Sequence, residues 1–246
     1  MRFLGPHACQ EALERGELQV LRISPQGWAR TQELREAARD KGVVIHKEPN
    51  DSLDRRSAGQ RHQGVLGEGS GLSLAPLETL LGLPAEKGPA SLLLVLDGIT
   101  DPHNFGAILR SAAAAGADGV IFPERRSAQP NEVVTRASAG TAGRVPLVRV
   151  VNLGRAIDEL KEAGFWIYGL HGGSESQDYL RESFDRPTAL VLGSEGEGLH
   201  AKIRERCDQL LRIPMPGGTE SLNVSAAAAV ILFRVLAART EGLVKK

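Results

Sequence analysis

Beyond residue 90 the chain alternates between short apolar runs and stretches of helical spacing. The runs are Leu92–Leu96, Val120–Phe122, Phe165–Leu170, Ala189–Leu192 and Leu210–Ile213, each of strand length. Between several of them apolar residues recur at helical intervals, as Phe105, Ile108, Leu109 and Ala112 and again as Ile157, Leu160 and Ala163. Strands separated by helices predict an α/β domain on a parallel sheet with right-handed crossovers. The last segment, NVSAAAAVILFRVLAAR, puts Val224, Ala227, Ala228, Ile231, Leu232, Val235 and Leu236 on one stripe. Ala226, Ala229, Val230 and Phe233 fill much of the other side, which predicts a helix buried nearly all round, in the core or at a subunit interface.

The front of the chain carries a smaller α-β-α-β pattern. It comprises a helix over CQEALERG, an apolar run Leu18–Ile23, a helix from Trp28 with Leu34, Ala37 and Ala38 on one face and Gly42 as its stop, and a second run Val43–Ile45. Gly, Pro and Ser then cluster in GEGSGLSLAPLETLLGLPAEKGPA, from Gly67 to Ala90. The expected organisation is a small N-terminal α/β domain over residues 1–66, a linker over 67–90 and the larger domain over 91–246.

The 246 residues are 41% hydrophobic and 24% charged, which suits a soluble globular protein and excludes a disordered or fibrous one. The longest apolar stretch, Val224 to Phe233, is interrupted by Ser225 and is far shorter than the ~20 residues that cross a bilayer, so no membrane span is expected. Pro6, His7, Gln10 and Glu11 stand where a signal peptide needs an apolar run, and the expected location is the cytoplasm. Cys9 and Cys207, 198 positions apart, suit neither a disulfide framework nor a zinc ligand pair and read as ordinary thiols.

Thirty basic residues balance thirty acidic ones, so bulk charge names no partner. Local charge is more informative. Between Gly119 and Asn152, Arg125, Arg126, Arg136, Arg144 and Arg149 stand against two Glu, a strip that fits either phosphate contacts or a solvated face. In the front piece RRSAGQRHQG carries Arg55, Arg56 and Arg61 with no acid inside it, and reads equally as a solvated turn and as an RNA-contacting loop. Few aromatics are present for base stacking, which favours recognition of folded RNA by shape and backbone.

Ligands of α/β sheets sit beyond the carboxyl ends of the strands, and three loops in those places stand out. After Leu96 comes DGITDPHNFGAILRSA, where Asp101 can cap a helix, Pro102 suits its first position, and Asn104 can aim its amide at a ligand beside free backbone N–H groups. Arg110 follows about 240° further round the helix, sharing an end more than a face with Asn104. After Leu192 comes GSEGEGL, in which three glycines let backbone approach a ligand closely and Glu195 offers a carboxylate between them. Its order, Gly-x-x-Gly-x-Gly, and its late position argue against a nicotinamide dehydrogenase. After Ile213 comes PMPGGTESLNVS, where Ile213, Met215 and Leu222 suit the walls of a slot for a flat adenine ring. Ser221 and Asn223 then open the final helix with a hydroxyl and an amide. Phosphate-loop, nucleophile-elbow and metal-ligand spacings are absent. The six His are scattered; His171 and His200 read as surface or satisfied residues, and His103 is the one beside a candidate group.

Together DPHNFGAILR, LGSEGEGL and IPMPGGTESLNVS resemble motifs 1, 2 and 3 of the SPOUT superfamily, in its TrmH/SpoU branch of RNA ribose 2′-O-methyltransferases. The front domain, with Gly5, His7 and Ala8 near its start and RHQGV near its end, looks like the substrate-binding domain of the bacterial 23S rRNA guanosine-2′-O-methyltransferase subgroup, itself similar to a ribosomal-protein RNA-binding fold. The resemblance implies a C-terminal segment threaded into a deep trefoil knot, which no periodicity reveals. It implies S-adenosylmethionine held bent with no metal, with contacts at Leu170, Gly193, Gly198, Ile213 and Leu222, and a homodimer with its sites at the interface. The family's functional residues match Asn104, Arg110, Glu195, Ser221 and Asn223 in type. One departure is Gly143, where relatives often carry Glu.

The function so implied is methyl transfer to the ribose 2′-OH of a nucleotide, guanosine by that likeness, in 23S rRNA. The rivals are a tRNA 2′-O-methyltransferase and a catalytically silent RNA-binding or ribosome-assembly protein. In the family Arg110 is the proposed base; a guanidinium is ordinarily a permanent cation, so base and phosphate anchor compete as its roles.

Overall fold

The computed structural model describes residues 2–14, 16–69, 72, 74–139 and 141–244. In chain order the elements of the front part are β1 (Arg2–Leu4), α1 (Pro6–Glu14), β2 (Leu18–Ile23), α2 (Pro25–Trp28), α3 (Gln32–Asp40), β3 (Val44–Lys47), α4 (Asn50–Arg56) and β4 (Val65–Gly69). They are followed by α5 (Glu78–Leu81), α6 (Leu83–Lys87), β5 (Leu92–Leu96), α7 (Pro102–Ala115), β6 (Gly119–Pro123), α8 (Glu132–Ala137), β7 (Leu147–Val150), α9 (Leu153–Glu162) and β8 (Trp166–Leu170). Then come β9 (Gln177–Asp178), β10 (Thr188–Leu192), α10 (Ala201–Arg204), β11 (Gln209–Arg212) and α11 (Val224–Val244). The chain divides into two compact units, Met1–Leu74 with Pro130–Thr135, and Ala75–Gln129 with Arg136–Lys246.

The first unit is a four-stranded mixed sheet in the order β1-β4-β2-β3, with only β2 and β3 parallel. Phe3, Cys9, Leu13, Leu21, Ile23, Leu34 and Val65 form its core. The four-element pattern expected from the sequence lacks β1 and β4, and the single helix from Trp28 is two: Ser24 caps α2, accepting from the Gly27 N–H at 3.1 Å, and α3 starts afresh. β4 reads as linker because it is rich in glycine, but its glycines serve close packing. A Cβ on Gly67 would lie 2.5 Å from Leu18 Cδ1, and one on Gly69 only 1.9 Å from the Glu17 carbonyl oxygen.

The 67–90 linker is thus corrected. Gly67–Gly69 complete β4, and residues 78–90 form α5, α6 and a 3₁₀ turn, with Leu80 buried in the core of the second unit. Residues 70, 71 and 73 of that stretch lie outside the described residues.

The basic stretch after α4 is built rather than slack. His62 is buried, with Nε2 2.8 Å from Asp54 Oδ1 and Nδ1 accepting the Gly64 N–H at 3.1 Å. The acceptor role of Nδ1 places the ring proton on Nε2, facing the carboxylate. Ala58 and Gln63 are both left-handed, at φ 52° and 53°. Nearby, Arg22 of β2 is gripped by Glu48 and by Glu68, the latter at 2.9 Å, and Arg56 meets the same two acids at 3.2 and 3.4 Å.

In the second unit seven strands, all parallel, form one sheet in the order β7-β6-β5-β10-β8-β11-β9. The five strands expected from apolar runs are all present. β7 and β9, unread in the sequence, are the two edges: β7 contains Arg149, and β9 has two residues. β5 and β10 are buried along their whole length, as strands covered on both faces must be, and so read as unbroken apolar runs. α11 packs on α7 and buries Val224, Ala227, Ala228, Ile231, Leu232, Val235 and Ala238. It is not buried all round in the single chain: Phe233 is 47% and Leu236 43% exposed. Among the described residues no helix is long and apolar enough to cross a membrane.

Candidate active site

Because every strand runs the same way, the loops that follow adjacent strands leave one edge of the sheet side by side. β5, β10, β8 and β11 are such neighbours, although β10 comes after β8 in the chain. The loops after Leu96, Leu192, Leu170 and Arg212 are thereby gathered from positions more than a hundred residues apart. The loops after Leu170, Leu192 and Arg212 enclose a cleft of about 800 Å³ lined by residues 170–173, 192–198, 212–216 and 220–222, together with Val224 and Ala227.

Two devices shape its walls. Asp101 caps α7, accepting from the backbone N–H of His103 at 3.0 Å and of Asn104 at 3.4 Å, and Pro102 occupies the first turn. The cap turns Asn104 toward the loop after β10. That loop closes on itself through reciprocal backbone bonds of 3.0 Å between Ser194 and Gly198, lifting Glu195 at its tip. A Cβ on Gly193 would lie 2.1–2.2 Å from the carbonyl carbon and oxygen of Gly198, so glycine there is compulsory; Gly196 and Gly198 have φ of 88° and 69°.

At the centre, Glu195 Oε1 accepts from Asn104 Nδ2 at 3.2 Å, from Asn223 Nδ2 at 2.5 Å and from the Val224 backbone N–H at 3.2 Å. Asn223 Nδ2 also donates to Asn104 Oδ1 at 3.0 Å. On its other side Asn223 caps α11, its Oδ1 accepting from the Ser225 N–H at 2.9 Å and from the Ser225 hydroxyl at 2.5 Å. Three of the five matched polar residues therefore form one network. The other two stand apart from it. Arg110 is exposed on α7, and Ser221 lines the cleft without a hydrogen bond to the three.

All five expected cofactor contacts, Leu170, Gly193, Gly198, Ile213 and Leu222, line the cleft, as does Met215. The wall after β8 runs on beyond the expected Leu170 to His171, Gly172 and Gly173. His171 lines the cleft rather than standing on an indifferent surface, with Nε2 3.2 Å from Glu175 Oε1 and 3.3 Å from an Arg204 nitrogen. Its only sequence signal is its place directly after a strand. Glu195, Glu197 and Glu220 outnumber Arg212 in the lining, which suits a ligand carrying positive charge. The volume is that of a site for a compact organic ligand, roughly 300–1,000 Å³. Burial pushes the thiols of Cys9 and Cys207 up to about 12, so neither offers a thiolate at neutral pH.

Of the candidate RNA contacts, Arg125, Arg126, Arg136 and Arg144 are exposed in the second unit, as are Arg55, Arg56 and Arg61 in the first. The turn bearing Arg125 and Arg126 is braced by Gln129, whose Nε2 donates to the carbonyls of Pro123, Glu124 and Ser127 at 3.1–3.3 Å. Arg126 itself is left-handed at φ 57°. Arg56 differs from its neighbours because Glu48 and Glu68, acids from outside its own stretch, engage it.

A model of the SpoU rRNA methylase family matches residues 91–233, and one for RNA 2′-O ribose methyltransferase substrate binding matches residues 4–73. The chain is 43% identical over 234 residues to a 23S rRNA (guanosine-2′-O-)-methyltransferase RlmB of Xylella fastidiosa, covering 95% of this chain and 90% of that one. It is 38% identical over 240 residues, 96% of each chain, to a putative TrmH family tRNA/rRNA methyltransferase of Staphylococcus aureus. Among solved structures, the SpoU methyltransferase AviRb of Streptomyces viridochromogenes in complex with AdoMet superposes with a TM-score of 0.65 at 25% identity, covering 98% of this chain and 91% of that one.

Proposed function

The chain belongs to the SpoU rRNA methylase family, and from that premise we propose that it transfers a methyl group from S-adenosylmethionine to the ribose 2′-OH of a guanosine in 23S rRNA. The observation that carries this reading is the Asn104–Glu195–Asn223 network at the mouth of a cleft of the right size. S-adenosylmethionine supplies a sulfonium-borne methyl, which moves by in-line displacement as the positive charge is quenched, so positioning is the protein's main contribution. Leu170, Gly193, Gly198, Ile213 and Leu222 would hold it, the glycines through close backbone approach and Ile213, Met215 and Leu222 as walls for the adenine.

The ribose hydroxyl must be brought to about 3–3.5 Å from the methyl carbon and must lose its proton. Asn104 and Glu195 orient the ribose, and Asn223 holds Glu195 in place while Ser221 completes the polar lining. Arg110 is exposed and, among the described residues, no acid engages it, which favours its service as a cationic anchor for an RNA phosphate and for the developing alkoxide over service as a base. A base would need desolvation that an exposed guanidinium lacks.

The N-terminal unit, matched by the substrate-binding model, binds the RNA, with Arg55 and Arg61 on its braced loop as contacts; Arg125, Arg126, Arg136 and Arg144 add phosphate contacts on the second unit. Its likeness to a ribosomal-protein fold belongs to the same reading. The insertion of β10 between β5 and β8, with α11 returning from β11 to pack on α7, supports a C-terminal trefoil knot. The exposed Phe233 and Leu236 on α11 support a homodimer through that face. Such an enzyme works in the cytoplasm, where its rRNA is made.

The test is methyl transfer from labelled S-adenosylmethionine to 23S rRNA, followed by mapping of 2′-O-methylated nucleotides. Incorporation at one guanosine ribose of 23S rRNA is expected. Modification of tRNA instead, or none with any RNA while the RNA still binds, would replace this reading with one of its rivals.

A further inference from the structure

Asp97 lies at the tip of β5, outside the matched catalytic set, and is only 5% exposed. A carboxylate so buried is costly unless its oxygens are satisfied. Both are, and by the same distant residue. Oδ2 accepts the backbone N–H of His200 at 2.8 Å, and Oδ1 lies 2.9 Å from His200 Nδ1. With the ring proton on Nδ1 both contacts are donor-to-carboxylate bonds. Asp97 also donates its own backbone N–H to the Leu192 carbonyl at 2.8 Å.

Leu192 and His200 flank the glycine turn that carries Glu195. One residue at the end of β5 therefore holds both ends of that turn. The packing around the pair is close as well: a Cβ on Gly98, which has φ of 74°, would be 3.2 Å from His200 Cε1 and 3.6 Å from Ser194 Cβ. Four residues beyond Asp97, Asp101 caps α7 and aims Asn104 at Glu195. The two catalytic loops are thus joined at their base by Asp97 and at their tip by the Asn104–Glu195 bond.

We infer that Asp97 and His200 are positioning residues for methyl transfer, a buried staple that sets where Glu195 stands relative to Asn104. The inference rests on the function proposed above. In water the Asn104–Glu195 bond alone is weak support, since both groups are at least partly exposed and Glu195 sits on a turn rich in glycine. The staple supplies the missing rigidity from the buried side, and an error of about 1 Å in such a placement costs on the order of 10²-fold in rate.

The test compares the whole protein with Asp97→Asn, His200→Leu and His200→Asn, the last restoring an N–H near the position of Nδ1. Amide hydrogen exchange reads the turn without reference to activity. The amides of residues 194–198 are expected to exchange about tenfold or more faster in Asp97→Asn and His200→Leu, while β10 keeps its protection and His200→Asn recovers most of the loss. Single-turnover methyl transfer should fall about 10²-fold in Asp97→Asn, yet less than about twofold when the same change is made in a Glu195→Ala background, because the two act as one unit. Wild-type protection of the turn, loss of protection without loss of turnover, or an equal loss in the Glu195→Ala background overturns the inference. His200→Leu, altered at a half-exposed side chain, carries the test if Asp97→Asn does not fold. If the wild-type protein itself transfers no methyl, the proposed function fails while the exchange experiment still decides whether the staple exists.

Discussion

Glu195 Oε1 accepts the Asn223 side-chain N–H at 2.5 Å, while the other end of the Asn223 amide caps α11. One amide thus ties the Glu195 carboxylate to the start of the final helix. Glu195→Ala removes the shared acceptor of three N–H groups and should lower single-turnover methyl transfer by ~10²-fold or more, as loss of a preorganised polar group at a reacting centre does. The site is exposed, so the unfolding free energy should change by less than about 1 kcal/mol. An unchanged rate in a folded variant removes Glu195 from the mechanism.

Arg110→Ala should reduce turnover at least ~10²-fold while S-adenosylmethionine affinity, read by calorimetry, stays within about twofold. Arg110 stands outside the cleft lining, which is why the two measurements separate. Near wild-type turnover ends its assignment.

Gly193→Ala places a methyl group 2.1–2.2 Å from the Gly198 peptide, and the turn must open to admit it. Overpacking of ~1–3 kcal/mol corresponds to cofactor binding weakened by about five- to 150-fold. Calorimetric titration of the variant checks this, and wild-type affinity refutes the close-approach argument.

In the first unit, burial works to raise the Glu48 carboxyl, but hydrogen bonds from Ser52 and Arg22 and the charges of Arg22 and Arg56 outweigh it and hold it below the usual carboxylate range. Its folded value is then lower than the unfolded ~4.3, so its contribution is complete above that pH and is lost as pH falls through the folded value. Glu48→Gln should cost ~2 kcal/mol at pH 7, and the gap from wild type should narrow as the pH falls below the unfolded carboxyl value. Thermal unfolding at a series of pH values measures it; a gap independent of pH contradicts the assignment.

The exposed stripe on α11 makes a separate prediction about assembly. Replacing Phe233 and Leu236, 47% and 43% exposed, together with Glu should convert a dimer to a monomer in sedimentation experiments and raise solubility. A monomeric wild-type protein disposes of the dimer.

Much of this was legible along the chain, and the exceptions have particular causes. β5 and β10 declare themselves because a strand covered on both faces is almost wholly apolar, as Leu92–Leu96 and Ala189–Leu192 illustrate. β4 was hidden because Gly67 and Gly69, chosen for contact with Leu18 and Glu17, carry the composition of a linker. β7 was hidden because an edge strand can afford Arg149. The exposure of Leu236 could not be read from helical spacing, which orders residues around an axis without saying what lies on each side.

By itself the sequence determined the central strands of the larger sheet and the helices α7, α9 and α11, the cap of α7 and the glycine turn after β10, and which polar residue types follow the strand ends. These are consequences of local periodicity and backbone sterics, acting over a few residues. Tertiary structure alone decided that β10 lies between β5 and β8, and hence that Glu195 meets Asn104 across 91 residues and that Asp97 holds His200 across 103. Strand order depends on the packing of whole elements against one another, and no short window of sequence contains it.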